Sequence, residues 1–149
     1  MSTSTQPTPL TDISLRALAL GAAAGVGGGI VFGIMMAMMG MLPMVAMLVG
    51  RSDIVTGWLV HLLISAAFGA VYGVTVLLFK LPSTTGMSVT AGAVAGVVFW
   101  VAGALVAMPL MLGMSAMVLR IEQPQIMSLV GHILYGVITG VVFTRLIGR

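Results

Sequence analysis

The placement of the charged residues constrains this chain more than any other feature. Asp12, Arg16, Arg51, Asp53, Lys80, Arg120, Glu122, Arg145 and Arg149 are its only charged side chains. Between them lie charge-free stretches at 17–50, 54–79, 81–119 and 123–144, of 34, 26, 39 and 22 residues. A helix needs about 20 apolar residues to cross a bilayer. Each stretch holds one such helix, and none holds two plus a turn. The expectation is an all-α integral membrane protein with four transmembrane helices, in contact with the lipid bilayer. Composition agrees: 60% of the 149 residues are apolar and 6% charged, and the mean hydropathy is +1.22. A soluble domain carries about a quarter charged residues to cover its surface, so soluble enzymes and disordered chains are excluded. The net charge is +3, but six scattered Lys and Arg residues make no basic stripe, which excludes nucleic acid as a partner. With no cysteine there is no disulfide, thiolate metal site or Cys nucleophile.

Residues 1–15, rich in Thr and Pro, read as a polar N-terminal tail, and 16–149 as a single four-helix membrane domain. The apolar run after Arg16 is too long for the 7–15-residue core of a signal peptide. Tail, middle loop and C-terminus carry Arg16, Lys80, Arg145 and Arg149. The opposite side carries only Arg51 and Arg120, each two residues before an acid. By the positive-inside rule both termini are cytoplasmic, in a bacterial-type inner or plasma membrane.

The two halves resemble each other. Aligned on His61 and His132, Ser65 meets Gly136, Gly69 meets Gly140, and Tyr72 meets Phe143. Upstream, the GGIVF ending at Phe32 meets the AGVVF ending at Phe99, with Pro43 and Pro109 at nearly equivalent places. This reads as a duplication, with repeat one at about 16–80 and repeat two at about 81–149. Each repeat holds two spans, so the repeats are parallel-oriented and their pseudo-twofold axis runs along the membrane normal.

Glycines at 21, 25, 29 and 33, and again at 92, 96 and 103, give small-residue faces that let helices approach closely. They suit protein partners or a homo-oligomer as well as packing within the chain. Both histidines lie on such a face of their own helix, His61 with Gly57, Ser65 and Gly69, and His132 with Ser128, Gly136 and Gly140. An ionisable side chain within a span points to function by default. Eleven of the fourteen methionines cluster at 35–47 and 108–117. Met commonly fills irregular apolar gaps, but depth links it to the histidines. His61 lies eight residues after Asp53 and His132 ten after Glu122, roughly 12–15 Å into the membrane at about 1.5 Å per residue. Counting back up the preceding helices by the same distance reaches Met41 or Met44, and Met111 or Met114. Pro43 and Pro109 are expected to kink those helices and free a carbonyl one turn earlier.

These residues point to a small non-catalytic bundle that binds a ligand. Its cofactor-binding residues are His61 and His132, with Met44, Met47, Met111 and Met114 as thioether ligands if it is a metal. Copper(I) prefers sulfur and imidazole donors, and two facing imidazoles also suit a b-type haem. Gly57, Gly131 and Gly136 are expected to leave space for the macrocycle. Two alternatives stand beside this reading: an accessory subunit of a larger electron-transfer or photosynthetic-type complex, and a small oligomeric channel or transporter. No acid accompanies either histidine within a span, which weighs against an enzyme.

Overall fold

The computed structural model describes residues 10–148, with side chains from residue 15 onward. It is all-helical, with no strand among the described residues. Helix α1 runs Leu10–Met38. A short α2, Leu42–Ala46, continues into a 3-10 turn at Met47–Val49, and α3 spans Ile54–Leu78. Next comes α4, Thr85–Phe99, which runs on as π-helical turns over Trp100–Ala107 and ends in α5, Met108–Met111. A 3-10 turn at Ser115–Met117 leads to α6, Gln123–Ile147. Four segments are long and apolar enough to cross a membrane: Leu15–Met38, Ile54–Leu78, Thr85–Met111 and Gln123–Ile147. The chain is an integral membrane helix protein with lipid-facing side chains such as Leu59, Leu63, Val94 and Val98 exposed. The tail expected over 1–15 falls outside the described residues up to residue 9, and from Leu10 the chain is already helical.

Proline does not kink the first span as expected. Helix α1 stops at Met38, Gly40 turns the chain in the left-handed region (φ 67°), and Pro43 lies in the first turn of α2. A first-turn proline leaves no hydrogen bond unmade, because that N–H has no intrahelical acceptor anyway. Helix α3 starts cleanly at Asp53, whose carboxylate accepts from the Thr56 N–H and hydroxyl, both at 2.8 Å. Thr84 caps α4 by accepting from the Met87 N–H at 3.3 Å.

Helices α1 and α3 pack backbone to backbone. A Cβ on Gly25 would run into the Ser65 carbonyl oxygen, and one on Gly21 into that of Gly69. The same happens between α4 and α6, where Gly92 meets the Gly136 carbonyl and Gly96 that of His132. In lipid such close approach replaces the hydrophobic effect as the force holding helices together. Of the glycines on the small-residue faces, Gly21, Gly25, Gly29, Gly33, Gly92 and Gly96 are filled within the chain, while at Gly103 a Cβ would meet only the Phe68 ring at 3.5 Å. Helix α1 also packs on α6, where Gly28 lies against Tyr135 and Thr139. By contrast, α3 makes few contacts with α4 or α6. Stacked rings of Phe68 and Phe99, 4.5 Å between centroids and 5° between planes, link α3 to α4. The bundle thus runs in the order α3, α1, α6, α4, and is open between its first and last members.

Candidate functional site

A cavity of about 410 Å³ lies in this opening, on the side of the Asp53 and Glu122 helix ends. Both histidines line it. His61 on α3 is buried and half-buried His132 lies on α6, with α1 running between those helices. Phe32 of α1 meets both imidazoles, at centroid distances of 5.4 Å from His61 and 4.8 Å from His132. The imidazole centroids are therefore at most about 10 Å apart.

Each imidazole spends one nitrogen on a backbone carbonyl. His61 Nε2–H donates to the Gly29 oxygen at 2.9 Å, across the α1–α3 seam. His132 Nδ1–H donates to the Ser128 oxygen at 2.8 Å, one turn back on its own helix, with the Ser128 hydroxyl at 3.3 Å. A carbonyl can only accept, so each bond fixes the tautomer of the neutral ring. The lone pair is left on Nδ1 of His61 and on Nε2 of His132. Among the described residues neither nitrogen has a hydrogen-bond partner, and neither is sealed away, since the only fully buried side-chain polar atom without a partner there is Thr139 Oγ1. Close packing sets these orientations. A Cβ on Gly33 would strike the Trp58 ring and approach His61 Cδ2 at 3.1 Å, and one on Gly131 would strike Phe32.

Tyr135, Ser65 and the Gln125 carbonyl, on residues that also line the cavity, are engaged in hydrogen bonds. Tyr135 O–H donates to the Ser65 carbonyl at 2.6 Å, and the Ser65 hydroxyl to the His61 carbonyl at 2.8 Å. Trp100 Nε1–H donates to the Gln125 carbonyl at 3.0 Å, which ties the π-helical segment to the start of α6. Among the described residues no Asp, Glu, Lys or Arg lines the cavity. Seven methionines do: Met36, Met41, Met44, Met108, Met111, Met114 and Met117.

Of the thioethers expected from the sequence, Met44, Met111 and Met114 line the cavity with both histidines. Met47 does not, and is 52% exposed elsewhere. Met36 was not anticipated as a ligand. It is buried, on the same cavity, one turn beyond Phe32. The space expected at Gly57, Gly131 and Gly136 is closed, by the Leu42 backbone, the Phe32 ring and the Gly92 backbone respectively. Among the described residues no three His, Cys, Asp or Glu side chains group closely enough to hold a metal, so any metal here depends on thioether sulfur.

At the aqueous rim, Arg51 pairs with Asp53 at 3.4 Å and Arg120 with Glu122 at 3.8 Å, all exposed. The Thr56 N–H, then its hydroxyl, hold the Asp53 carboxyl below its ordinary range, with Arg51 adding to the effect. Comparison with protein-family models, curated proteins and solved structures returns no match.

Proposed function

We propose that this chain is a small non-catalytic membrane bundle that binds copper(I) in the cavity between α3 and α4, through imidazole and thioether donors. One observation carries the reading: two imidazoles with tautomers fixed by backbone carbonyls line one charge-free cavity with seven methionines. Metal-ligating histidines typically donate their other N–H in this way, and the bond aims the ligating nitrogen. Thioether sulfur is a soft donor that selects Cu(I), and neutral imidazole, a borderline donor, also suits copper. The ligand set is uncharged, and the cost of burying an ion rises with the square of its charge. A monovalent soft cation is thereby favoured over Zn(II) or Cu(II). His61, His132 and Met36 are the core of the proposed site, with Met44 and Met108 beside them.

Haem fits less well. The glycines that would leave room for it are filled, and Phe32 packs against both rings where a bis-histidine macrocycle would lie. A bare ion asks only for donors around one point. The accessory-subunit reading loses its main support, since the glycine seams are used internally.

We also propose the two-repeat organisation, with both termini cytoplasmic. The seams support it: Gly25 lies against Ser65 and Gly92 against Gly136, and these are residues that the alignment of the halves pairs. Each half follows its long helix with a proline-bearing short helix, a 3-10 turn and an acidic residue before the next span. Tyr72 and Phe143, paired by the same alignment, touch each other at 5.9 Å.

The test is anaerobic titration of the purified protein with Cu(I) against a colorimetric chelator. One tightly bound equivalent is expected, displaced by Ag(I) and not by Zn(II), and lost in His132→Ala and Met36→Leu. A protein that takes up no Cu(I), or that shows a Soret band after haem addition, would refute the assignment.

A further inference from the structure

The cavity methionines differ in exposure, with Met41 and Met117 half-buried. Met111 and Met114 are 67% and 45% exposed, Met44 and Met108 are half-buried, and Met36 is 7% exposed beside Phe32 and the imidazoles. The two exposed ones stand at the loop end of the cavity. Met111 closes α5, and Met114 follows Gly113 in the connection leading to the ion pair of Arg120 and Glu122. This is the end nearest water. A resting site of soft donors would not need exposed thioethers on the same wall.

Resting on the copper(I) reading above, we infer that Met111 and Met114 form a loading port, which captures Cu(I) at the rim and hands it by thioether exchange through Met44 and Met108 to Met36 and the histidines. Each step forms one Cu–S or Cu–N bond as another breaks. The metal stays Cu(I) throughout, so no electron moves and no oxidant or reductant is required. Thioethers carry no proton, so none is taken up or released along the ladder. A bare cation would have to shed its water in a low-dielectric cleft at large cost, whereas neutral donors lining the same cavity can replace that water step by step. The port faces the same side as Asp53 and Glu122, so loading proceeds from that aqueous face.

Loading kinetics separate this port from the resting site. The full chain in detergent receives Cu(I) from a coloured chelator complex under anaerobic conditions, and both the transfer rate and the final bound equivalents are read. In the Met111→Leu/Met114→Leu double variant the rate should fall about tenfold, within the range by which association rates vary among variants of one site, with unchanged equivalents. Met47→Leu, which changes an exposed methionine off the cavity, should load like the parent. A double variant that loads at the parent rate overturns the port and leaves the copper site standing. Loss of bound equivalents in the double variant, or equal slowing in Met47→Leu, also overturns it. Failure of the parent chain to bind Cu(I) removes the copper reading itself, and the port with it.

Discussion

Glycine sets how closely these helices approach, and two substitutions measure that. A Cβ on Gly69 would meet the Gly21 carbonyl and the Gly25 backbone, while one on Gly27 would meet nothing. Gly69→Ala should therefore destabilise by about 1–3 kcal/mol, the usual cost of overpacking, and Gly27→Ala should stay within about 0.5 kcal/mol of the parent. Thermal unfolding in detergent reads both. Asp53 gives a pH signature. Its carboxyl is held below the ordinary range by Thr56, so its stabilising contribution is complete above the unfolded value of about 3.9 and is lost as pH falls through the folded value. The stability gap between the parent and Asp53→Ala should be constant from neutral to mildly acidic pH and close below that. A gap that persists at strongly acidic pH would show that the charge is not what caps α3. The histidine pair, Met44, Met111 and Met114 were legible from sequence because polarity and depth sufficed to place them. Met36 was not. An unbroken helix back from Asp53 would put Met44 and Met41 at the depth of His61, but the chain turns at Gly40 and lays α2 against Gly57 of α3. That turn shifts the register, bringing Met36 to the cavity and leaving Met47 outside.

At the scale of elements, the four spans were readable from the charge-free stretches alone, while the π-helical segment was not. Residues Trp100–Ala107 keep an apolar pattern that fits either winding, and only Pro109 hints at the change. The wider turn is visible in the Met108 N–H, which bonds to Gly103, five residues back. Pro109 has no N–H for the Leu105 carbonyl, and the Leu119 N–H takes it instead, at 3.0 Å. The freed carbonyl expected from the proline thus has a definite acceptor role: it anchors the connection between α5 and α6. Pro109→Ala would restore a competing donor. The Leu119 amide should then exchange with deuterium markedly faster, while the amides of α3 and of Gly131–Thr144 in α6 are unchanged. Unaltered exchange at Leu119 would mean that the anchor survives without the proline.

For the whole molecule, topology is open to direct labelling because the chain has no cysteine of its own. Single cysteines at Ser52 and Ser115 should react with an impermeant thiol reagent from one side of the membrane, and one at Ser83 only from the other. Labelling of Ser52→Cys and Ser83→Cys from the same side would break the four-span arrangement. The proposed duplication also accounts for the shape. In the register of the halves, Phe68 stands where the second half has Thr139, and Ala95 where the first has Gly28. Gly28 and Thr139 let α1 and α6 meet closely, whereas the bulkier pair holds α3 and α4 apart, joined by the Phe68–Phe99 stack.

The single open seam gives the molecule the mechanics of a book. Helices α1 and α6 are the spine, and α3 and α4 are the covers, each bound tightly to the spine and scarcely to the other. Whatever squeezes the bilayer sideways presses on the covers, and the pages between them are the cavity. A change in lateral pressure would therefore act first on the width of that cavity, through helices rather than through the side chains that line it.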